Sequence, residues 1–347
     1  MKTRACVLHA QQDVRIETLD VGEIAPTEVL VRMGAGGVCG SDIHYFWDGG
    51  IGTIRVSEPI VLGHEVAGTV QAVGGAVQGL KPGDKVALNP SRACGQCRYC
   101  REGQYHHCLN MQFFGSAMFK PHSQGGFRDL MVVDQAQCEP VGASVSLGEA
   151  ACAEPLSVAV HAVNQAGSLV GKRVLVTGVG PIGALVVAMA KYAGALEIVA
   201  TDLSAAPLKA AVAMGATAVI NGSEEPQRLM AEYSADKGAF DVVFECSGAA
   251  PVLKQVFALT RPRGTVVQVG VMGETPIPMN ALVGKEISLV GTHRANTEFA
   301  TAARLIRERR IDVRPIISDT LPMERIGEAF SMARDRSSHM KVQLSFA

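Results

Sequence analysis

The chain has 347 residues, 48% of them hydrophobic and 19% charged, with a formal net charge of −1. That length can bury a large core and suggests two domains. The even charge offers no basic face for a nucleic acid or a membrane surface. No run of about 18 apolar residues marks a bilayer span. The segment Met1-Lys2-Thr3-Arg4-Ala5-Cys6-Val7 has neither a long apolar stretch nor a cleavage signal, so a soluble, cytoplasmic protein is expected.

Up to about residue 150 the pattern is strands and turns. Glu28-Val29-Leu30-Val31-Arg32-Met33 and Gly68-Thr69-Val70-Gln71-Ala72-Val73 run apolar or alternate between glycine and proline breaks, and Lys81-Pro82-Gly83-Asp84-Lys85-Val86 is a turn leading into a strand. This half reads as a β-rich, barrel-like domain. Beyond residue 155, short apolar strands alternate with helices, the sign of a parallel α/β sheet. The predicted strands are Arg173 to Thr177, Glu197 to Thr201, Ala218 to Ile220, Asp241 to Phe244, Thr265 to Val269 and Ile287 to Val290. Helices are predicted from Pro181 to Ala193, Pro207 to Met214 and Phe299 to Arg310, and a last strand from Lys341 to Leu344. Six such strands predict a doubly wound nucleotide-binding fold.

The loop Gly178-Val179-Gly180-Pro181-Ile182-Gly183 follows the first of these strands and opens a helix, and Asp202 follows the second. Gly178 permits the tight turn, Gly180 lets backbone approach a pyrophosphate, and Gly183 lets helix pack on strand. The helix N-terminus presents unpaired N–H groups to phosphates, and Pro181 suits its first turn. Asp202 should accept hydrogen bonds from ribose hydroxyls and would repel a 2′-phosphate, which favours NAD over NADP. A glycine-rich turn in a fold without cofactor is the competing explanation.

Two groups of residues suit metals. Cys94, Cys97, Cys100 and Cys108 place four thiolates on one short loop, enough to close a tetrahedral shell around a structural zinc. A zinc ribbon on nucleic acid would use the same spacing, but this one is embedded in a neutral chain. Nine cysteines with this clustering point to metal binding in a reducing compartment. Cys39, His64, Glu65 and Glu154 offer sulfur, nitrogen and oxygen donors from distant segments, as in a catalytic zinc site that keeps one position open. Each alone has a plainer explanation: a small buried hydrophobe, a hydrogen-bonded histidine, or Glu154 as the cap of a helix over 156–166.

The segments Gly63-His64-Glu65-Val66-Ala67-Gly68, Cys39-Gly40-Ser41-Asp42-Ile43-His44-Tyr45, Ala153-Glu154-Pro155-Leu156 and Gly291-Thr292-His293-Arg294, with the four-cysteine lobe and the glycine loop in order, resemble the zinc-dependent medium-chain alcohol and polyol dehydrogenases, sorbitol dehydrogenase branch. Leu88 to Gly95, Phe113 to Met118 and Lys285 to Leu289 are closer to members of that branch that act on sugar acids. The resemblance implies a GroES-like catalytic domain over 1–155 and 292–347 and a Rossmann NAD-binding domain over 156–291. It implies oxidation of a secondary hydroxyl of a polyol or sugar acid to a ketone.

In its terms Cys39 and His64 bind the catalytic zinc with Glu65 or Glu154 as the carboxylate, and Cys152 as a further alternative. Asp42 would orient His64. Ser41 and His44 would relay the proton, and Arg294 would contact the substrate, forking onto a carboxylate if there is one. Lys120, His122 and Arg92 are other possible partners for a carboxylate. A homodimer or homotetramer is expected, paired through the edge strand at Ile287 to Val290.

Overall fold

A computed structural model describes residues 1–346; Ala347, the end of the expected catalytic span, lies outside the described residues. Two sheets organise the chain. The first has seven strands, in the order Cys138–Pro140, Lys85–Leu88, Glu65–Val73, Glu28–Gly37, Lys341–Ser345 and Ile317–Pro322, with Leu130–Asp134 also paired to Glu28–Gly37. Its central strand Glu28–Gly37 is buried on both faces, which explains its nearly continuous apolar run. Val29, Val31 and Met33 fill the interior with Leu62, Phe127 and Phe330, while Ala35 joins the core beneath the helices Leu147–Ala151 and Ala153–Ala166.

The second sheet has six strands in the order Ala218–Asn221, Glu197–Asp202, Arg173–Thr177, Phe240–Glu245, Thr260–Gln268 and Ser288–Gly291. Every neighbouring pair in it is parallel. The helices Pro181–Tyr192 and Ala205–Met214 cover one face, and Ala250–Leu259 covers the other. The strand order reverses between Arg173–Thr177 and Phe240–Glu245, and the crevice at such a reversal is where doubly wound folds take their ligands.

The predicted elements are all present, with informative differences at their ends. The strand expected from Thr265 begins at Thr260, because Arg261 to Gly264 form an irregular insertion in the ladder, with Arg263 at φ 59°. The helix expected to reach Arg310 stops at Arg307, since Arg309 adopts φ 55° and sends its guanidinium to Glu149. Glu154 is not a helix cap: Cys152 holds that place, and Glu154 lies inside the first turn of Ala153–Ala166. Among the described residues no helix is long and apolar enough to cross a membrane.

Candidate active site and metal centres

Cys39 stands at the N-cap of the helix Gly40–Asp48. Asp42, in its first turn, accepts the Cys39 N–H at 3.0 Å through Oδ2. Its Oδ1 accepts the Gly63 N–H at 3.3 Å and lies 3.8 Å from Nδ1 of His64. One fully buried carboxylate therefore ties together the two segments that carry the sulfur and the imidazole. At 3.8 Å the carboxylate is too far from the ring for a hydrogen bond, so it acts on His64 through its charge and through its hold on the Gly63 backbone.

The ligand atoms of Cys39, His64 and Glu65 all lie within 4.8 Å of one another. Glu65 pairs across the sheet with Gly37, where any Cβ would collide with the Glu65 carboxylate. A side chain at Gly37 would thus fill the space the cage needs. Behind Glu65, the Lys341 ammonium is 2.7 Å from both carboxylate oxygens. Burial opposes the charge on Lys341, but Glu65 and Cys39 hold its pKa above the usual range. Burial likewise opposes a charge on His64, yet Cys39, Asp42 and Glu154 raise its pKa to about 10. The cage attracts positive charge and mixes sulfur, nitrogen and oxygen donors, which fits zinc.

Glu154 approaches from its helix but is not one of the three closely spaced ligand groups. Burial among protein atoms and the charge of Glu65 push its carboxyl up to about 7, against the pull of His64, Lys341 and Arg294. Cys152 is not one of the closely spaced groups; its thiol, pushed up to about 12 by burial, sits against Gly148 O and the Gln343 amide.

Arg294 reaches the same space from the segment after Ser288–Gly291. Its guanidinium carbon stands 4.3 Å over the Phe113 ring, whose other neighbour is the His64 imidazole at 5.2 Å. Among the described residues no carboxylate pairs with it. Burial lowers its pKa, with Glu154 and Tyr45 opposing. His122 is not a comparable partner for a carboxylate. Its Nε2 accepts the Ser57 N–H at 3.1 Å and its Nδ1 faces the Phe119 carbonyl at 2.8 Å. Arg92 and Lys120 are exposed. Ser41 is half-buried two positions past Cys39, and His44, one turn on, is exposed with Nδ1 2.7 Å from Asp48.

The four cysteines converge as expected. Sγ of Cys97 lies 3.5 Å from that of Cys100 and 4.0 Å from that of Cys108. These bracket the edge of about 3.8 Å of a tetrahedron with Zn–S near 2.3 Å. Backbone N–H groups point at the sulfurs. Those of Gln96 and Cys97 draw the Cys94 thiol down to about 6, and those of Cys100 and Leu109 lower Cys97, while burial pushes Cys100 up to about 12. Four sulfurs this close fit a structural zinc, and with all four positions used the lobe has no place for substrate.

In the crevice, Gly178 takes φ 76°, and a Cβ there would meet the Ser247 backbone at 2.6 Å. Gly180 faces open space, room for a pyrophosphate beside the helix that Pro181 and Ile182 begin. Asp202 is held by the N–H groups of Val179 at 2.9 Å, Leu203 at 2.8 Å and Ser204 at 3.2 Å. It joins the glycine loop to the end of the second strand.

With that geometry in place, the similarities are specific. Residues 25–143 match the alcohol dehydrogenase GroES-like domain and residues 181–308 the zinc-binding dehydrogenase domain. The chain belongs to the zinc-binding medium-chain dehydrogenases and is an oxidoreductase of that family. It is 42% identical to L-idonate 5-dehydrogenase (NAD(P)+) of Escherichia coli K12, across 100% of this chain and 99% of that enzyme. The crystal structure of the E. coli L-idonate 5-dehydrogenase superposes with a TM-score of 0.94, again across 100% and 99%. Sorbitol dehydrogenase of Macaca fascicularis is 36% identical over 95% of this chain and 92% of that one.

Sequence reasoning missed Lys341, Phe113 and Glu245. Lys341 opens an otherwise buried strand, and a lysine in that setting signals a buried partner. Glu245 is wholly buried at the end of its strand; it accepts the Ser247 N–H at 2.9 Å and the Gln268 amide at 2.6 Å, tying two strand ends at the crevice. An acidic residue closing an apolar strand was the available signal.

Proposed function

We propose that this chain oxidises a secondary hydroxyl of a sugar acid to a ketone with NAD, and that its substrate is L-idonate, giving 5-dehydro-D-gluconate. The observation that carries the reading is the Arg294 guanidinium, stacked on Phe113 beside the Cys39–His64–Glu65 cage without a carboxylate of its own. Such a planar fork suits a substrate carboxylate. The similarity to L-idonate 5-dehydrogenase over the whole chain supports the same choice. Residues 1–155 and 292–347 form the catalytic domain on this reading, and 156–291 the NAD-binding domain.

Cys39, His64 and Glu65 would hold the catalytic zinc, with Glu154 close enough to feel the charges of His64 and Glu65, and with Asp42 and Lys341 supporting the set. Cys94, Cys97, Cys100 and Cys108 would hold the structural one. Gly178, Gly180, Pro181, Ile182, Gly183 and Asp202 would hold NAD, the carboxylate at 202 disfavouring NADP. Zinc so bound supplies a Lewis acid that lowers the pKa of an alcohol, and the nicotinamide supplies the two-electron acceptor. Ser41 would pass the hydroxyl proton on, giving up its own as it accepts the substrate's, and His44, at the surface and oriented by Asp48, would deliver a proton to solvent. Arg294 fixes the acid end, so that a single secondary hydroxyl faces the cage.

A polyol such as sorbitol or xylitol is the second reading, favoured by the sorbitol dehydrogenase relatives. NAD reduction measured over idonate, gluconate, sorbitol and xylitol, with and without chelator, separates the two. A higher kcat/KM for sorbitol than for idonate would defeat the sugar-acid reading. Nine free thiols and no disulfide among the described residues suit the reducing cytoplasm. A dimer would pair the edge strand Ser288–Gly291 with its copy.

A further inference from the structure

The four-cysteine lobe and Arg294 lie far apart in the chain, yet four contacts join them. The Asn296 amide oxygen accepts the Tyr105 N–H at 2.9 Å, and its nitrogen donates to the Gly103 carbonyl at 2.8 Å. The His293 ring stacks on His107, with centroids 5.9 Å apart and planes 14° from parallel. Phe113, the platform under Arg294, packs on the small apolar core of the lobe formed by Cys100, Cys108 and Met111. On its other side the segment is held by Glu298. One of its oxygens accepts the N–H groups of Asn296 at 2.7 Å and Thr297 at 3.0 Å, and the other faces Nδ1 of His161 at 2.9 Å.

Arg294 sits between these anchors at φ 54°, in the left-handed region that a non-glycine residue keeps only when its surroundings impose it. A free loop would spread so long a side chain over many rotamers, and ordering it would weaken binding. The anchors remove that cost before the ligand arrives.

We propose that Asn296 is a positioning residue for substrate selection: by clamping the segment 293–298 to the backbone of residues 103–105, it presets the Arg294 guanidinium for a substrate carboxylate. The four-cysteine lobe then serves specificity as well as stability. This rests on the sugar-acid reading above.

The test compares Arg294→Met, Asn296→Ala and Asn296→Asp with the parent enzyme, the last keeping the acceptor for Tyr105 while losing the donor to Gly103. The measurements are KM and kcat for L-idonate and xylitol, calorimetric Kd for L-idonate in the enzyme–NADH complex, and Tm. The expected result is a rise of about tenfold in KM and Kd for idonate in Asn296→Ala, with kcat and the KM for xylitol nearly unchanged and Asn296→Asp between. Equal losses on both substrates, or an unchanged Kd for idonate, would overturn the proposal. Should the alanine variant fold poorly, the aspartate variant decides by the same comparison. If Arg294→Met leaves the idonate-to-xylitol ratio unaltered, the carboxylate reading falls and this inference with it. If Arg294→Met collapses that ratio and the Asn296 variants do not, only the positioning role is wrong.

Discussion

The Lys341 ammonium and the Glu65 carboxylate form a buried pair, 2.7 Å apart at both oxygens, with side chains only 4% and 2% exposed. In the zinc-free protein, Lys341→Met would leave a buried carboxylate without its cation, at a cost of about 3–5 kcal/mol. Urea denaturation of the chelator-treated variant should show a midpoint well below that of the chelator-treated parent. Glu65→Gln combined with Lys341→Met should recover much of the loss, because the stranded charge is gone. Equal midpoints for Lys341→Met and parent would mean the pair does not hold the cage.

Asp202 accepts three backbone N–H groups at the mouth of the glycine loop. Asp202→Ala removes the charge that opposes a 2′-phosphate and also loosens Val179. We expect kcat/KM with NAD to fall by roughly tenfold, about one charge-assisted hydrogen bond, and the NADP-to-NAD ratio to rise. A ratio that stays constant would show that something other than Asp202 selects the cofactor.

His44 is exposed beside Asp48 on the helix that begins after Cys39. On the relay reading, His44→Ala slows turnover most at low pH, where direct loss of the proton to water is hardest. Steady-state kcat against pH is the measurement. An identical profile in parent and variant would remove His44 from the path.

Burial, with the Arg294 guanidinium and the neighbouring rings of His107, His106 and His161, lowers the His293 pKa to about 4 from an ordinary 6.5. Between those values the unfolded chain takes up a proton here and the native state does not. Stability is therefore present above pH about 6.5 and falls as pH drops toward 4. His293→Asn should flatten the decline of Tm between pH 6.5 and pH 5 (a range set by the same shift). Parallel Tm curves for parent and variant would refute this.

Much of the fold was legible because its signals are local. Glycine spacing, a proline at the start of a helix and short apolar strands each act over a single turn or strand. The four cysteines and the pair Cys39–His64 were legible for a related reason: few residue types offer such donors. What stayed hidden depends on pairings made by the folded sheets. Glu65 and Glu154 could not be ranked from sequence, since only the register of Glu65 against Gly37 and the arrival of Lys341 put one carboxylate in the close trio. Arg294 was visible as an arginine, but its backbone geometry and Phe113 platform were not. The irregular insertion at Arg261 to Gly264 escaped because Arg-Pro-Arg-Gly reads as the turn before a strand, not as part of one.

The reach of 276 residues between Glu65 and Lys341 also has a temporal side. A ribosome releases Cys39, His64 and Glu65 long before Lys341, with the whole nucleotide-binding sheet made in between. Until the strand Lys341–Ser345 inserts between Glu28–Gly37 and Ile317–Pro322, the first sheet has an open seam and the metal cage lacks its counter-ion. Domains usually fold in the order of synthesis, but here the earlier one waits for the later. A chain interrupted before residue 341 would carry Cys39, His64 and Glu65 and still lack the strand that closes the sheet around them.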